Sequence, residues 1–139
     1  MNRTVIAALL LSACGGKIVP TVIADGSLTP CPSTPNCVSS LAEPTDAEHW
    51  IEPFPGTMTV PELTEWMNGR KRCEVLDSGD VWVHAACKTA ILRFTDDIAL
   101  LVDEADDVTH VRSSSRVGHS DLGKNRKRVE DMQQEWAER

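Results

Sequence analysis

Between Arg72 and Ser114 the chain runs through strand-like segments joined by turns too short to hold a helix. Arg72 to Leu76 is the first, and Asp77-Ser78-Gly79-Asp80 follows as a turn. Val81 to Phe94 reads as one long strand with a bulge near Lys88-Thr89. Asp96-Asp97 reads as the next turn, Ile98 to Asp103 and Val108 to Ser114 as strands, and Glu104 to Asp107 as the acidic turn between them. Parallel strands need a crossover of a dozen residues or more, so consecutive strands on short turns form an antiparallel sheet.

Two amphipathic helices flank this run. Thr59-Val60-Pro61-Glu62 is a capping-box pattern with an early proline. Leu63, Trp66 and Met67 follow at helical spacing, and Asn68-Gly69 ends a helix of about 60–68. A second helix spans about Leu122 to Ala137, with Leu122, Asn125, Val129, Met132 and Trp136 on one face. Glu48 to Phe54 alternates as a short edge strand whose pairing Pro53 limits. The expected order is β-α-β-β-β-β-α, an α+β fold with about five antiparallel strands and two helices on one face. The order matches one repeat of a TATA-binding-protein-like topology, an analogy that carries no function.

The N-terminus supplies an address. Met1-Asn2-Arg3 is a short positive region, Thr4 to Leu11 is apolar, and Ser12-Ala13 precedes Cys14. The apolar run falls short of the roughly 20 residues needed to span a bilayer, yet it suits a secretory leader. Residues 1–13 are therefore expected to be a lipoprotein signal peptide, with Cys14 lipidated and anchoring the chain in the cell envelope. Gly15 in place of an aspartate favours the outer membrane facing the periplasm, in a Gram-negative cell. Residues 14–29 read as a tether, and 30–139 as a single domain. Cleavage removes Arg3 from a chain with 14 basic and 21 acidic side chains. That balance argues against nucleic-acid binding and against docking on anionic lipid by charge. A single copy is the expected state.

Cys31, Cys37, Cys73 and Cys87 remain after Cys14. In an exported small domain an even number reads as disulfides. The favoured pairing joins Cys31 to Cys37 across a loop stiffened by two prolines, and Cys73 to Cys87 across a hairpin. Four thiolates holding zinc are the alternative, but no Cys-x-x-Cys pair is present. A redox role for the Cys31 loop lacks that motif as well.

Alternation along Val81–Cys87 sends Val81, Val83, Ala85 and Cys87 toward the helices and Trp82, His84 and Ala86 away from them. His110 and Arg112 share a face of their own strand. If the open faces coincide, Trp82, His84, His110 and Arg112 form a shallow site, or merely a solvated sheet face. The stretch from Arg112 to Val129 is the most unusual one. Ser120 or Asp121 can cap the second helix, whose first turns carry Lys124, Arg126, Lys127 and Arg128 and whose later turns carry acids. The helix dipole prefers the reverse. Either an anion bound by Arg112, Ser113, Ser115, Arg116, Ser120, Asp121, Asn125 and Arg126, or a salt-bridge network with Asp96 and Asp97, accounts for the cations.

Three segments carry a resemblance: Leu28 to Ser40 with its Pro-Cys-Pro and Asn-Cys-Val-Ser-Ser runs, Phe94-Thr95-Asp96-Asp97, and Arg112 to Val129. Together they are similar to the bacterial and plastid family called domain of unknown function 1499, over roughly residues 28–133. Ser114 departs from the alanine common there. The resemblance implies envelope or membrane association and a paired Cys31 and Cys37, and implies no activity or catalytic residues.

Three functions follow. The favoured one is a non-enzymatic envelope module binding a small anion or a protein. An enzyme would use Ser113 or Ser115 with His84 or His119 and Asp96 or Asp97, without any Gly-x-Ser-x-Gly elbow. A metal site of His84, His110, Asp96 and Asp97 has no spacing signature behind it, so no cofactor is expected. The third is a scaffold lipoprotein using exposed Trp50 or Trp82.

Overall fold

The computed structural model describes residues 20–139; the expected signal peptide and Cys14 lie outside them. The elements in chain order are β1 (Ile23–Ala24), β2 (Ser27–Leu28), β3 (Cys37–Ser39), β4 (Phe54–Pro55), α1 (Val60–Asn68), β5 (Cys73–Ser78), β6 (Trp82–Lys88), β7 (Thr95–Asp103), β8 (Val108–Ser115) and α2 (Lys124–Ala137). One antiparallel sheet of six strands runs β3-β8-β7-β6-β5, with β4 also on β8. Both helices pack on one face, so the architecture is α+β.

The core lies between that face and the helices. Leu63 and Met67 of α1 and Val129, Met132 and Trp136 of α2 close over Val83, Ala85, Ile98, Leu100 and Val111. Phe54, Trp66 and Trp136 interlock at one end, with Phe54 and Trp136 centroids 4.9 Å apart. The Trp136 indole donates to the Pro55 carbonyl at 2.7 Å, which gives its buried N–H a partner. The capping box forms as the sequence implies: Thr59 N–H donates to the Glu62 carboxylate at 2.8 Å, and Glu62 N–H donates back to Thr59 Oγ1. The turn between β5 and β6 needs Gly79, because a Cβ there would fall 2.2 Å from the Trp82 indole nitrogen.

Several expectations are corrected. Asp96 and Asp97 lie inside β7, paired with Ser115 and Ser114 of β8, and the turn falls instead at residues 89–94. Each carboxylate has its own arginine, so neither needs a solvated turn. The edge strand expected from Glu48 shrinks to Phe54–Pro55 plus an isolated bridge from Ser39 to Trp50. Part of the expected Cys-rich loop becomes β3, and the sheet has six strands, in keeping with the expected count of about five. The folded body also begins earlier than the expected tether boundary. The β1–β2 hairpin buries Val22 and Leu28 against Ala99 on the face away from the helices. Leu122 precedes α2 and is 88 % exposed, not part of its buried face.

Both favoured disulfides are present, Cys31–Cys37 with Cα atoms 5.7 Å apart and Cys73–Cys87 with Cα atoms 4.1 Å apart. Cys73 and Cys87 are direct cross-strand partners on β5 and β6.

Candidate functional site

Alternation along β7 sends Asp96 to the helix face and Asp97 to the other, and two separate polar networks follow. On the helix face the Asp96 carboxylate accepts from Arg128 at 2.6 Å. Arg128 also donates to Asn125 Oδ1, as does the Ser113 hydroxyl at 2.6 Å. The Asn125 amide donates to Ser115 Oγ, Asp121 Oδ2 and the Asn36 carbonyl. Asn125 is fully buried, so this saturation of its amide is what makes the residue tolerable there. Asp121 starts α2: its carboxylate accepts from the Gly123 and Asn125 backbone N–H groups, both at 2.9 Å. Burial raises the Asp121 pKa, but the bonds from Asn125 and Gly123 outweigh it and hold the carboxyl below its ordinary value.

On the opposite face Arg116 grips Asp97 with two bonds of 2.8 Å, and His84 Nε2 lies 2.8 Å from the same carboxylate. Burial pushes the Asp97 pKa up. The Arg116 and His84 hydrogen bonds reverse that and leave it below its usual value. Its bond to Asp97 raises the Arg116 pKa in turn. Arg112 is buried and donates to Ser114 at 2.6 Å and to the Thr29 carbonyl at 2.9 Å. Burial lowers its pKa despite the nearby Asp97 charge. His84 and Arg112 do share a row with Ala99 between them, and Trp82 and His110 share the next row with Leu101. That face is not open, however. Residues 20–30 lie across it, and His84 and Arg112 are both buried beneath them.

The remaining arginine of the motif, Arg126, donates from one nitrogen to the carbonyls of Ala47, Glu48 and Trp50. Ser120 Oγ accepts from Leu122 N–H. Among the described residues every buried side-chain nitrogen and oxygen has a hydrogen-bond partner. The Arg-Ser-Asn stretch therefore ties α2, β3, β7 and the hairpin together and directs no buried polar group at an outside ligand.

Neither serine named as a nucleophile meets a histidine. Ser113 and Ser115 bond Asn125 on the helix face, while His84 stands on the other. Ser40, not singled out by the sequence, lies 3.1 Å from His110 Nδ1, and His110 Nε2 is 3.5 Å from Asp103. The Ser40 hydroxyl also accepts Val111 N–H at 2.9 Å, which ties the residue after β3 to β8. For metal binding, Asp96 and Asp97 diverge to opposite faces. Among the described residues no group of three or more His, Cys, Asp or Glu could hold an ion. Trp50 and Trp82 are half-buried rather than exposed.

A groove of about 830 Å³ lies between the C-terminal end of α1, the paired ends of β5 and β6, and the first turns of α2. Arg70, Lys71, Arg72, Lys88, Lys124, Lys127 and Arg128 line it, against Glu65, Asp131 and Glu135. Half of the chain's 14 basic residues thus surround one concavity in a molecule of net charge −7. Arg70 pairs with Glu135 and lies 5.4 Å from the Trp66 ring centre, Lys127 pairs with Asp131 at 3.0 Å, and Arg128 with Asp96. Among the described residues no salt bridge involves Lys71, Arg72, Lys88 or Lys124. The Arg70-Lys71-Arg72 run was the available signal in the sequence. Its approach to Lys124 is set by the Cys73–Cys87 pairing and by α2 packing beside α1, which spacing alone does not reveal.

No curated protein and no solved structure matches the chain. A family model does: the one described as Protein of unknown function (DUF1499) matches residues 27–135, and the chain belongs to that family.

Proposed function

We propose that this chain is an exported, lipid-anchored envelope module that binds an anionic ligand without catalysing a reaction, and that the groove beside the start of α2 is its binding site. The leader-like residues 1–13, Cys14 and the two disulfides support the address. One observation carries the function: seven cations gathered around a concave surface in an acidic protein, four of them without an acidic partner among the described residues. Converging cations bind phosphate and carboxylate groups through charge-assisted hydrogen bonds, so the side chains rather than the capped start of α2 would hold the anion. Arg112, Arg116 and Arg126 hold the scaffold behind that surface.

Titration of the full chain with inorganic phosphate, followed by native mass spectrometry and by amide shifts of residues 70–72 and 124–127, tests this. Saturable shifts at both segments that vanish in the double variant K88E/K124E are the expected result. Shifts that survive that variant, or no shifts at all, would reject the groove as an anion site.

A further inference from the structure

The end of the sheet beside the groove also carries the largest apolar exposure among the described residues. Ile91 is 89 %, Leu92 70 % and Leu122 88 % exposed, while Phe94 and Val117 are each about half exposed. Ile91, Leu92 and Phe94 belong to the β6–β7 turn, closed by Thr89 N–H on the Phe94 carbonyl and Phe94 N–H on Thr89 Oγ1, both at 2.9 Å. Val117 and Leu122 belong to the β8–α2 loop. Arg116 N–H donates to the Thr95 carbonyl at 3.1 Å, so the two loops leave the sheet side by side. One exposed leucine needs no explanation, but five large apolar side chains on two neighbouring loops do. Leu122 also has φ 56°, a left-handed conformation that a bulky side chain resists, and no burial compensates for it.

Charge separates these loops from the rest of the molecule. Lys88 to Thr95 contains Lys88 and Arg93 and no acid. From Val108 to Arg128 the only acid is Asp121, whose carboxylate is occupied in starting α2. Lys88, Thr89, Ala90 and Lys124 are walls of the cationic groove, so the apolar tips and the cations form one continuous surface. Of the nearer acids of α2, Asp131 is paired with Lys127 and Glu135 with Arg70, while Glu138 lies roughly 20 Å along the helix from Lys124, beyond a Debye length of about 8 Å.

We propose that this end of the molecule docks on an anionic phospholipid surface, with Ile91, Leu92 and Leu122 entering the interface and the groove cations facing lipid phosphates. The inference rests on the groove being an anion site, and it names the bilayer as the source of the anion. Projecting apolar side chains flanked by cations suit a headgroup region, where each kind of contact is weak alone and the two add. Local charge here is the opposite of the net charge that argues against lipid docking.

The test is hydrogen exchange of the full chain on phosphatidylcholine vesicles with or without phosphatidylglycerol. Exchange of loop amides reports this contact whether or not the chain is also held through Cys14. We expect amides of residues 89–94 and 117–123 to exchange about tenfold more slowly with phosphatidylglycerol present. Double variant I91S/L122S, which alters only exposed side chains, should lose that protection and keep its phosphate response. Protection by inorganic phosphate with none on vesicles would overturn the bilayer and leave the anion site standing. No response to either would overturn both. Loop protection that rises with protein concentration in the absence of vesicles would assign the surface to a second copy and reject the bilayer.

Discussion

Two neighbouring aspartates in the middle of a sheet are expensive unless each charge is matched where it lands. Alternation gives Asp96 to the helix side and Asp97 to the hairpin side, and the chain places Arg128 and Arg116 accordingly. Such buried pairs add little over well-packed apolar residues, but removing one partner strands the other. Replacing Asp97 by Asn should therefore destabilise the fold by about 3 kcal/mol in urea unfolding at neutral pH. The sign of the pH dependence follows from the lowered Asp97 pKa. A depressed carboxyl contributes stability above its unfolded value, near 3.8, and loses it as pH falls through the lower folded value. The gap between wild type and D97N should stay constant at neutral pH and close below about pH 4. A gap that persisted in acid would separate the effect from the ionised carboxylate. The sequence shows the acids and the arginines but not their pairing. Asp96-Asp97 looks like a turn because its partners lie 32 and 19 residues away.

At the level of elements, α2 is the informative case. Its first turns carry Lys124, Lys127 and Arg128 and its later turns carry acids, against the helix dipole. Replacing Lys124 by Glu should then stabilise the protein by a few tenths, about 0.3 kcal/mol, while weakening phosphate binding in the groove. A thermal melt and a phosphate titration of the same variant check both halves. If K124E destabilises the fold, Lys124 serves structure and the groove loses a ligand. The first helix makes the opposite case, one of local rules alone. Thr59→Ala breaks a capping box open to solvent and should cost about 1 kcal/mol. Local pattern located both helices because periodicity and capping residues are close in sequence. It missed β3, three residues long and so too short to alternate, and β1 and β2, two residues each. These form only because β8 and Ala99 offer edge and apolar surface that distant parts of the chain create. The groove was hidden for the same reason, since its cations come from α1's end, β6's end and α2.

Over the whole molecule, the two disulfides are the covalent constraints on stability. Cys31–Cys37 fastens the segment leading into β3, and Cys73–Cys87 ties β5 to β6 beside the cationic groove. A closed loop of about 15 residues, the Cys73–Cys87 case, limits the unfolded chain by about 3 kcal/mol, and the shorter Cys31–Cys37 loop by about 2 kcal/mol. A domain of this size has only about 5–15 kcal/mol in all, so reduction removes a large share of it. The melting temperature of the full chain should fall by more than about 10 °C in dithiothreitol, with most of the loss reproduced by Cys73→Ala/Cys87→Ala. That double variant should also weaken phosphate binding, because Arg72 and Lys88 flank the bridge and Arg72 donates to the Lys88 carbonyl at 3.2 Å. A fold that depends on its bridges to this extent is maintained only in an oxidising compartment, which agrees with the proposed export. If reduction instead left melting and phosphate binding unchanged, the bridges would be dispensable and the argument from cysteine to compartment would fall with them.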